Sequence, residues 1–178
     1  MNSAKLLVAT AAAAMALQPT VAAAQQPCIT EEEVSAVAIY SVPSLIQGVR
    51  LRCGAELSPS GYLARRGDAL IGRYAAVQNR VWPTARSGLV KVLSSRAGQG
   101  RDSMAMVTQL PDSAVRPLID ALIVQEVSPK IPTSDCWKIE RLIEVAAPID
   151  PEVAGTLLGA AVGLADPEQM PVCPARRA

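Results

Sequence analysis

The sequence predicts an all-α, single-domain bundle of about six helices, including two short hairpins closed by disulfides. Three observations carry that prediction. Apolar residues recur every three or four positions along most of the chain, the spacing that gathers them on one helical face, while alternating strand patterns are nearly absent and only "LIVQEV" reads as one. The apolar half of the composition is mainly alanine, valine and leucine, with no phenylalanine and only Tyr40, Tyr62, Tyr74, Trp82 and Trp137 as aromatics, a mixture suited to closely packed helices. Four cysteines, Cys28, Cys53, Cys136 and Cys173, form an even set that reads as two disulfides in an exported chain.

Export is expected from the first residues. Lys5 gives a positive start, Leu6 to Leu17 is an uncharged apolar run, and Ala22, Ala23 and Ala24 are the small residues a signal peptidase accepts. A signal peptide over 1–24 and one mature domain over 25–178, periplasmic or secreted, follow from this reading. The run stops at Gln18 and Pro19, short of the roughly 20 apolar residues of a spanning helix. No later stretch reaches spanning length without a charge or a proline, so the mature protein is expected to be soluble.

The first mature helix opens on a capping box. Thr30 is followed three residues later by Glu33, so each side chain can satisfy the other's backbone N–H, and Glu31 and Glu32 add negative charge at the positive end of the helix dipole. Val34, Val37, Ala38 and Tyr40 continue at helical spacing. Pro43 lacks an N–H and disfavours helical angles before it, so a bend near Val42 is expected, with a second helical piece from Ser44 to Arg52 ending at Cys53-Gly54.

That bend governs the disulfides. A straight helix from Glu31 to Arg52 would hold its ends about 30 Å apart at 1.5 Å per residue, and Cys28 could not reach Cys53; a chain doubled back at Pro43 brings them together. The expected pairs are therefore Cys28 with Cys53 and, by the same hairpin logic, Cys136 with Cys173. The second hairpin comprises a helix with Ile139, Leu142, Ile143 and Ala146, a turn at "APIDPE", and a helix from about Glu152 to Leu164.

Between the hairpins, Ser60 is expected to cap a helix running to about Trp82, with Leu63, Leu70, Tyr74, Val77 and Val81 on one face and Pro83 ending it or resetting its path. Thr84 would open another, "AGQGRDS" reads as a loop, and Asp112 as the cap of a helix carrying Val115, Leu118, Ile119, Leu122 and Ile123. "SPKIPTSD" is the next connector. Trp82 and Trp137 both sit by expected helix ends, where a large ring seals a core. Gly155, Gly159 and Gly163 recur every four residues and permit close helix approach, inside the bundle or, alternatively, in self-association.

Charge is unevenly spread. There are three acids and no base from Gln25 to Val49, ten bases and two acids from Arg50 to Arg101, and eleven acids and six bases from Asp102 onward. Arg66, Arg73 and Arg80 recur every seven residues and so drift little around their helix. They are the candidate anion contacts, toward an anionic envelope component or an acidic protein. The structural alternative is that they lay their stems on the apolar face or pair with the acidic C-terminal helices.

The absence of histidine excludes Ser-His-Asp hydrolysis, papain-like chemistry and histidine-ligated metal or haem. No phosphate-binding loop and no Cys-x-x-Cys motif is present. Nucleic acid is excluded by the expected compartment and by the lack of aromatics among the bases. No family is recognised; the four-cysteine spacing does not fit the six-cysteine framework of saposin-like proteins. The expectation is a non-catalytic binding or interaction module of the cell envelope, without cofactor or metal and without an assigned catalytic residue. A carrier of a small apolar ligand or lipid is the alternative. A carboxylate-pair hydrolase of cell-wall sugars, drawing on Glu56, Asp68, Asp102 or Glu126, is the third.

Overall fold

Helix α1 (Glu31–Cys53) starts where the capping box places it: Thr30 N–H donates to Glu33 Oε2 at 2.9 Å, and Glu33 N–H donates to Thr30 Oγ1 at 3.1 Å. It then runs through Pro43 without interruption to Cys53. The computed structural model describes residues 28–96, 109–165, 167, 172 and 173. The expected leader with its cleavage point, and the "AGQGRDS" loop, lie outside them. Helix α2 (Tyr62–Arg96) likewise continues through Pro83; α3 (Asp112–Val127), two 3-10 turns (Ser128–Lys130 and Thr133–Asp135), α4 (Cys136–Ala146) and α5 (Pro151–Ala165) follow. The described residues are thus all-α, with five α-helices and not about six. The expected breaks at Pro43 and Pro83 are absent, and "LIVQEV" is helical.

Burial explains why both prolines are tolerated. An interior proline forfeits one backbone hydrogen bond and costs about 3 kcal/mol, but fully burying one large apolar side chain returns about 1.5–3 kcal/mol. Helix α1 buries side chains on both sides of Pro43: Ala36, Ile39 and Tyr40 before it, Ile46, Val49 and Cys53 after it. One cluster joins Ile39, Ile46 and Val49 to Leu63, Leu70 and Tyr74 of α2, with Cys136 and Ala147. A second joins Ala36 and Tyr40 to Trp82 and Ala85 of α2 and to Val115 and Ile119 of α3. Helix α1 is therefore the central rod. By length and composition alone it is also apolar enough to cross a membrane, though it carries the charges and the proline noted above, and 56% of that apolar window is buried inside the bundle.

The continuous α1 overturns the expected cysteine pairing. Its 23 residues span about 35 Å at 1.5 Å per residue, which separates Cys28 from Cys53. Cys28 instead bonds Cys173, and Cys53 bonds Cys136, so neither hairpin is closed on itself. The first bond is half-buried and sits beside a single parallel bridge between Ile29 and Val172, where Cys173 N–H donates to Ile29 O at 2.9 Å. The second is buried and fixes the start of α4 to the end of α1.

The glycines of α5 lie against α1, as expected for use within the bundle. A Cβ on Gly155 would meet Ile39 at 2.6 Å, and one on Gly159 would meet the Glu31 carbonyl oxygen at 2.5 Å. At the start of α5, Asp150 Oδ1 accepts from Glu152 N–H at 2.8 Å, with Pro151 in the first turn.

Two buried polar knots lock α1 in place. Glu33, 7% exposed, accepts from Ser87 Oγ at 2.6 Å and from Lys91 Nζ at 2.7 Å, both on α2. Burial pushes its carboxyl up, but hydrogen bonds from Lys91, Ser87 and the Thr30 amide, with the Lys91 charge, outweigh that and hold it below the usual glutamate range. A lowered folded-state value means the contribution is complete above the unfolded glutamate range and is lost as pH falls through the folded value. Acid unfolding of the wild type should therefore steepen below about pH 4. Glu33→Gln, followed by thermal melts from pH 3 to 7, should lower stability at neutral pH and flatten that acid limb.

The second knot holds Tyr40 against Trp82, with ring centroids 4.9 Å apart, and places the Arg116 guanidinium 4.7 Å from the Trp82 ring. Burial, then the Asp120 charge and hydrogen bond, raise the Tyr40 hydroxyl so that it stays neutral and donates to Asp120. Ser44 Oγ donates to the same carboxylate at 2.9 Å.

Candidate functional site

The two tryptophans have opposite fates. Trp82 is 2% exposed and seals the second cluster as expected, whereas Trp137 is 65% exposed and seals nothing. Helix α4 explains this. Its 11 residues, "CWKIERLIEVA", carry apolar side chains on two faces, and one of them packs against the first cluster. Ile139 and Ile143 turn toward the first cluster; Leu142, 69% exposed, and Val145, 59% exposed, lie with Trp137 on the outward side.

Helix α4 is held in this orientation at both ends. Cys136 is bonded to Cys53. One turn on, Glu140 Oε1 accepts from the Leu63 N–H at 2.8 Å and so caps α2, a role expected of Ser60, whose hydroxyl instead meets Ser58 Oγ at 2.9 Å. Gly61 makes room for that carboxylate: a Cβ there would lie 2.6 Å from Glu140 Oε1. At the far end Arg73 donates to Ala147 O at 2.5 Å and to Ile149 O at 2.9 Å. Beyond this turn α5 leaves at 115° to the segment containing α4.

A surface cleft of about 450 Å³ opens between the start of α2 and the outward side of α4. Tyr62 and Arg65 line it from α2, and Trp137, Glu140, Arg141 and Glu144 from α4. Arg141 donates to Glu144 at 2.8 Å, and Lys138 donates to Asp135 at 2.7 Å with its ammonium 5.9 Å from the Trp137 ring centroid. The Arg65 side chain is exposed and has no hydrogen bond or ion pair among the described residues.

The arginine row is divided by the fold. Arg73 is spent on the two carbonyls between α4 and α5, and Arg80 pairs with Glu152 of α5. Of the three, Arg66 alone is exposed and without such a partner among the described residues. Two of the three candidate anion contacts thus tie α2 to the acidic C-terminal helices, the structural alternative. Other bases of the middle region are also paired within the fold: Arg50 of α1 with Asp68 of α2 at 2.6 Å, and Arg86 of α2 with Asp112 of α3 at 3.0 Å. Asp112 is consequently the first residue of α3 and not its cap, the cap position being Pro111.

The carboxylates considered for hydrolysis do not converge in a cleft. Asp68 is held by Arg50, Glu126 is paired with Lys130, Glu56 is exposed beyond the end of α1, and Asp102 lies outside the described residues. An apolar cavity of about 190 Å³ does exist between α1, α2 and α4, lined by Val42, Ile46, Leu70, Tyr74, Ile143 and Ala146, among others. The outer side of α5 exposes Val153, Leu157 and Leu164.

No protein-family model, curated protein or solved structure matches the chain. The chemistry of the site itself therefore carries the functional reading. Sequence reasoning passes over Trp137 because the ring stands next to a helix start. The available signal is the helical wheel of α4, on which Trp137, Leu142 and Val145 lie away from the Ile139 and Ile143 stripe.

Proposed function

We propose that this protein is a non-catalytic binding module of an oxidising, extracytoplasmic compartment, and that the outward side of α4 is its binding surface. The exposure of Trp137 beside Leu142 and Val145 carries this reading. Large apolar side chains gathered on the surface and rimmed by charge mark interaction sites, and tryptophan dominates binding energy where it becomes buried. The two disulfides are compatible with an oxidising compartment. An export signal over 1–24 would deliver the chain there, and the binding partner would then be an envelope component.

The test uses the two tryptophans as internal standards. Trp82 is buried, so a blue shift in emission or a loss of acrylamide quenching on binding reports Trp137. Oxidised protein should co-sediment with one of two envelope fractions, lipid vesicles or insoluble wall polymer, and that retention should fall about ten-fold or more in Trp137→Ser and Leu142→Ser, the scale of losing one anchor side chain. Leu164→Ser, an equally exposed apolar change on α5, should leave it unchanged. Equal retention of wild type and Trp137→Ser, or none on either fraction, contradicts the proposal.

The apolar cavity favours a second reading, as a carrier of a small guest. At about 190 Å³ it is near the size of engineered apolar cavities of about 150 Å³ that take up benzene, and below the roughly 300–1,000 Å³ of pockets for larger ligands. A short alkyl or single-ring guest suits it; a whole lipid does not.

A further inference from the structure

We infer that the cleft between Tyr62 and Trp137 is a saccharide site that prefers carboxylated sugars. The inference rests on the outward side of α4 being the binding surface, and it names the ligand class. A sugar ring has a flat C–H face and a rim of hydroxyls, so its receptor needs an aromatic surface with hydrogen-bonding groups set around it. Trp137 and the half-buried Tyr62 supply that surface from two helices, and Arg65, Glu140, Arg141 and Glu144 stand around it. An amphipathic peptide helix calls instead for a continuous apolar groove, and a lipid surface for a continuous apolar face. Here charged groups interrupt the apolar area from both sides.

The lining is preorganised, which limits the entropy lost on binding. Glu140 is fixed by the Leu63 N–H, Arg141 by Glu144, and the start of α4 by the buried Cys53–Cys136 bond. The cleft's volume of about 450 Å³ lies within the roughly 300–1,000 Å³ typical of ligand sites, which suits a short segment of a polymer.

Charge selects the class of sugar. Arg141 pairs with Glu144, and Glu140 accepts from the Leu63 N–H at the start of α2, which leaves Arg65 as the charged side chain of the cleft without a hydrogen bond or ion pair among the described residues. An exposed guanidinium beside an aromatic platform matches a carboxylate through two parallel hydrogen bonds. Glu140 and Glu144 stand one turn apart on the same helix, each with a hydrogen-bond partner, and do not flank a bond from opposite sides as glycoside cleavage requires. The site binds and does not cut.

The test titrates the oxidised full chain with an α-1,4-linked galacturonate tetramer and with a neutral β-1,4-linked N-acetylglucosamine tetramer, following Trp137 emission and heat of binding. The acidic tetramer should give a saturable blue shift and bind about ten-fold more tightly than the neutral one, the scale of one charge-assisted contact. Arg65→Gln should abolish that preference while sparing the neutral tetramer, and Trp137→Ser should abolish binding of both. Equal affinities unaffected by Arg65→Gln would overturn the carboxylate preference. No signal from either tetramer up to about 10 mM, weaker than any useful site, would overturn the inference. In that case, Trp137-dependent retention on vesicles would leave the α4 surface standing with a lipid partner, and its absence on vesicles and wall polymer alike would remove both.

Discussion

Replacing Gly159 by valine should destabilise the protein by about 3 kcal/mol or more, the upper range for forcing extra atoms into a well-packed contact. A Cβ at Gly159 meets the carbonyl oxygen of Glu31 at 2.5 Å, and that oxygen belongs to the backbone of the central helix, so α5 must move away as a unit. The gain in helix propensity on replacing glycine is only about 1 kcal/mol and cannot offset this. The neighbouring glycines supply internal controls. Gly155→Ala would press on Ile39, a buried side chain with little room, and should cost less than a change at 159. Gly163→Ala would meet the exposed Glu31 side chain, from Cγ at 2.9 Å to Oε1 at 2.6 Å, and no backbone atom among these nearest contacts, so it should cost least of the three. Denaturant melts of the three variants should rank them in that order. Equal effects at all three positions would mean that α5 does not lie on α1 in this register.

The double replacement Cys53→Ala, Cys136→Ala should cost about 4 kcal/mol, since a crosslink closing a loop of 83 residues constrains the unfolded chain by roughly that amount. For a chain of this size that is a fall of about 10 °C or more in melting temperature. Both sulfurs are buried, so two small cavities add to the loss. The half-buried Cys28–Cys173 bond should be reduced first under mild thiol, with the buried bond surviving until higher reductant. A functional consequence separates this variant from ordinary destabilisation. Helix α4 loses its anchor at Cys136, so Trp137-dependent retention should drop at temperatures where circular dichroism still reports a folded bundle.

Much of the fold is legible in local patterns. The Thr30–Glu33 capping box and the turn at "APIDPE" follow from interactions within a few residues, and the spacing of the glycine row calls for the close approach of another helix, in the bundle or in a second copy. What the sequence hides is the outcome of competition between local and distant terms. Pro43 and Pro83 carry clear breaking signals, yet the burial of Ile39, Ile46 and Trp82 on either side outweighs them. One misjudged bend then propagates, because the cysteine partners depend on whether α1 doubles back. Ser60 and Asp112 have the chemistry of caps but are displaced by Glu140, from 77 residues away in sequence, and by the attraction of Asp112 to Arg86. No local rule contains those distances.

The candidate site follows the same division. The arginine row at 66, 73 and 80 is visible as a spacing, and so is its bland alternative; which applies at each position depends on where Ala147, Ile149 and Glu152 come to rest. Trp137 is visible as a residue, but its exposure is not. That property depends on α4 being pinned by Cys53, the Leu63 N–H and Arg73 with its Ile139 side inward, three contacts from separate positions in the chain.

The pairing of the cysteines is the point on which the central rod, the anchored α4 and the Trp137 cleft all depend, and one digestion tests it. Cleavage after lysine and arginine leaves the four cysteines on separate peptides, with Cys53 on 53–65 and Cys136 on 131–138. Under non-reducing, acidic conditions, mass spectrometry should find peptide 53–65 bonded to peptide 131–138. Finding 53–65 bonded to the peptide that ends at Arg50 would show α1 folded back at Pro43, and the orientation of α4 with the cleft beside it would fall with that result.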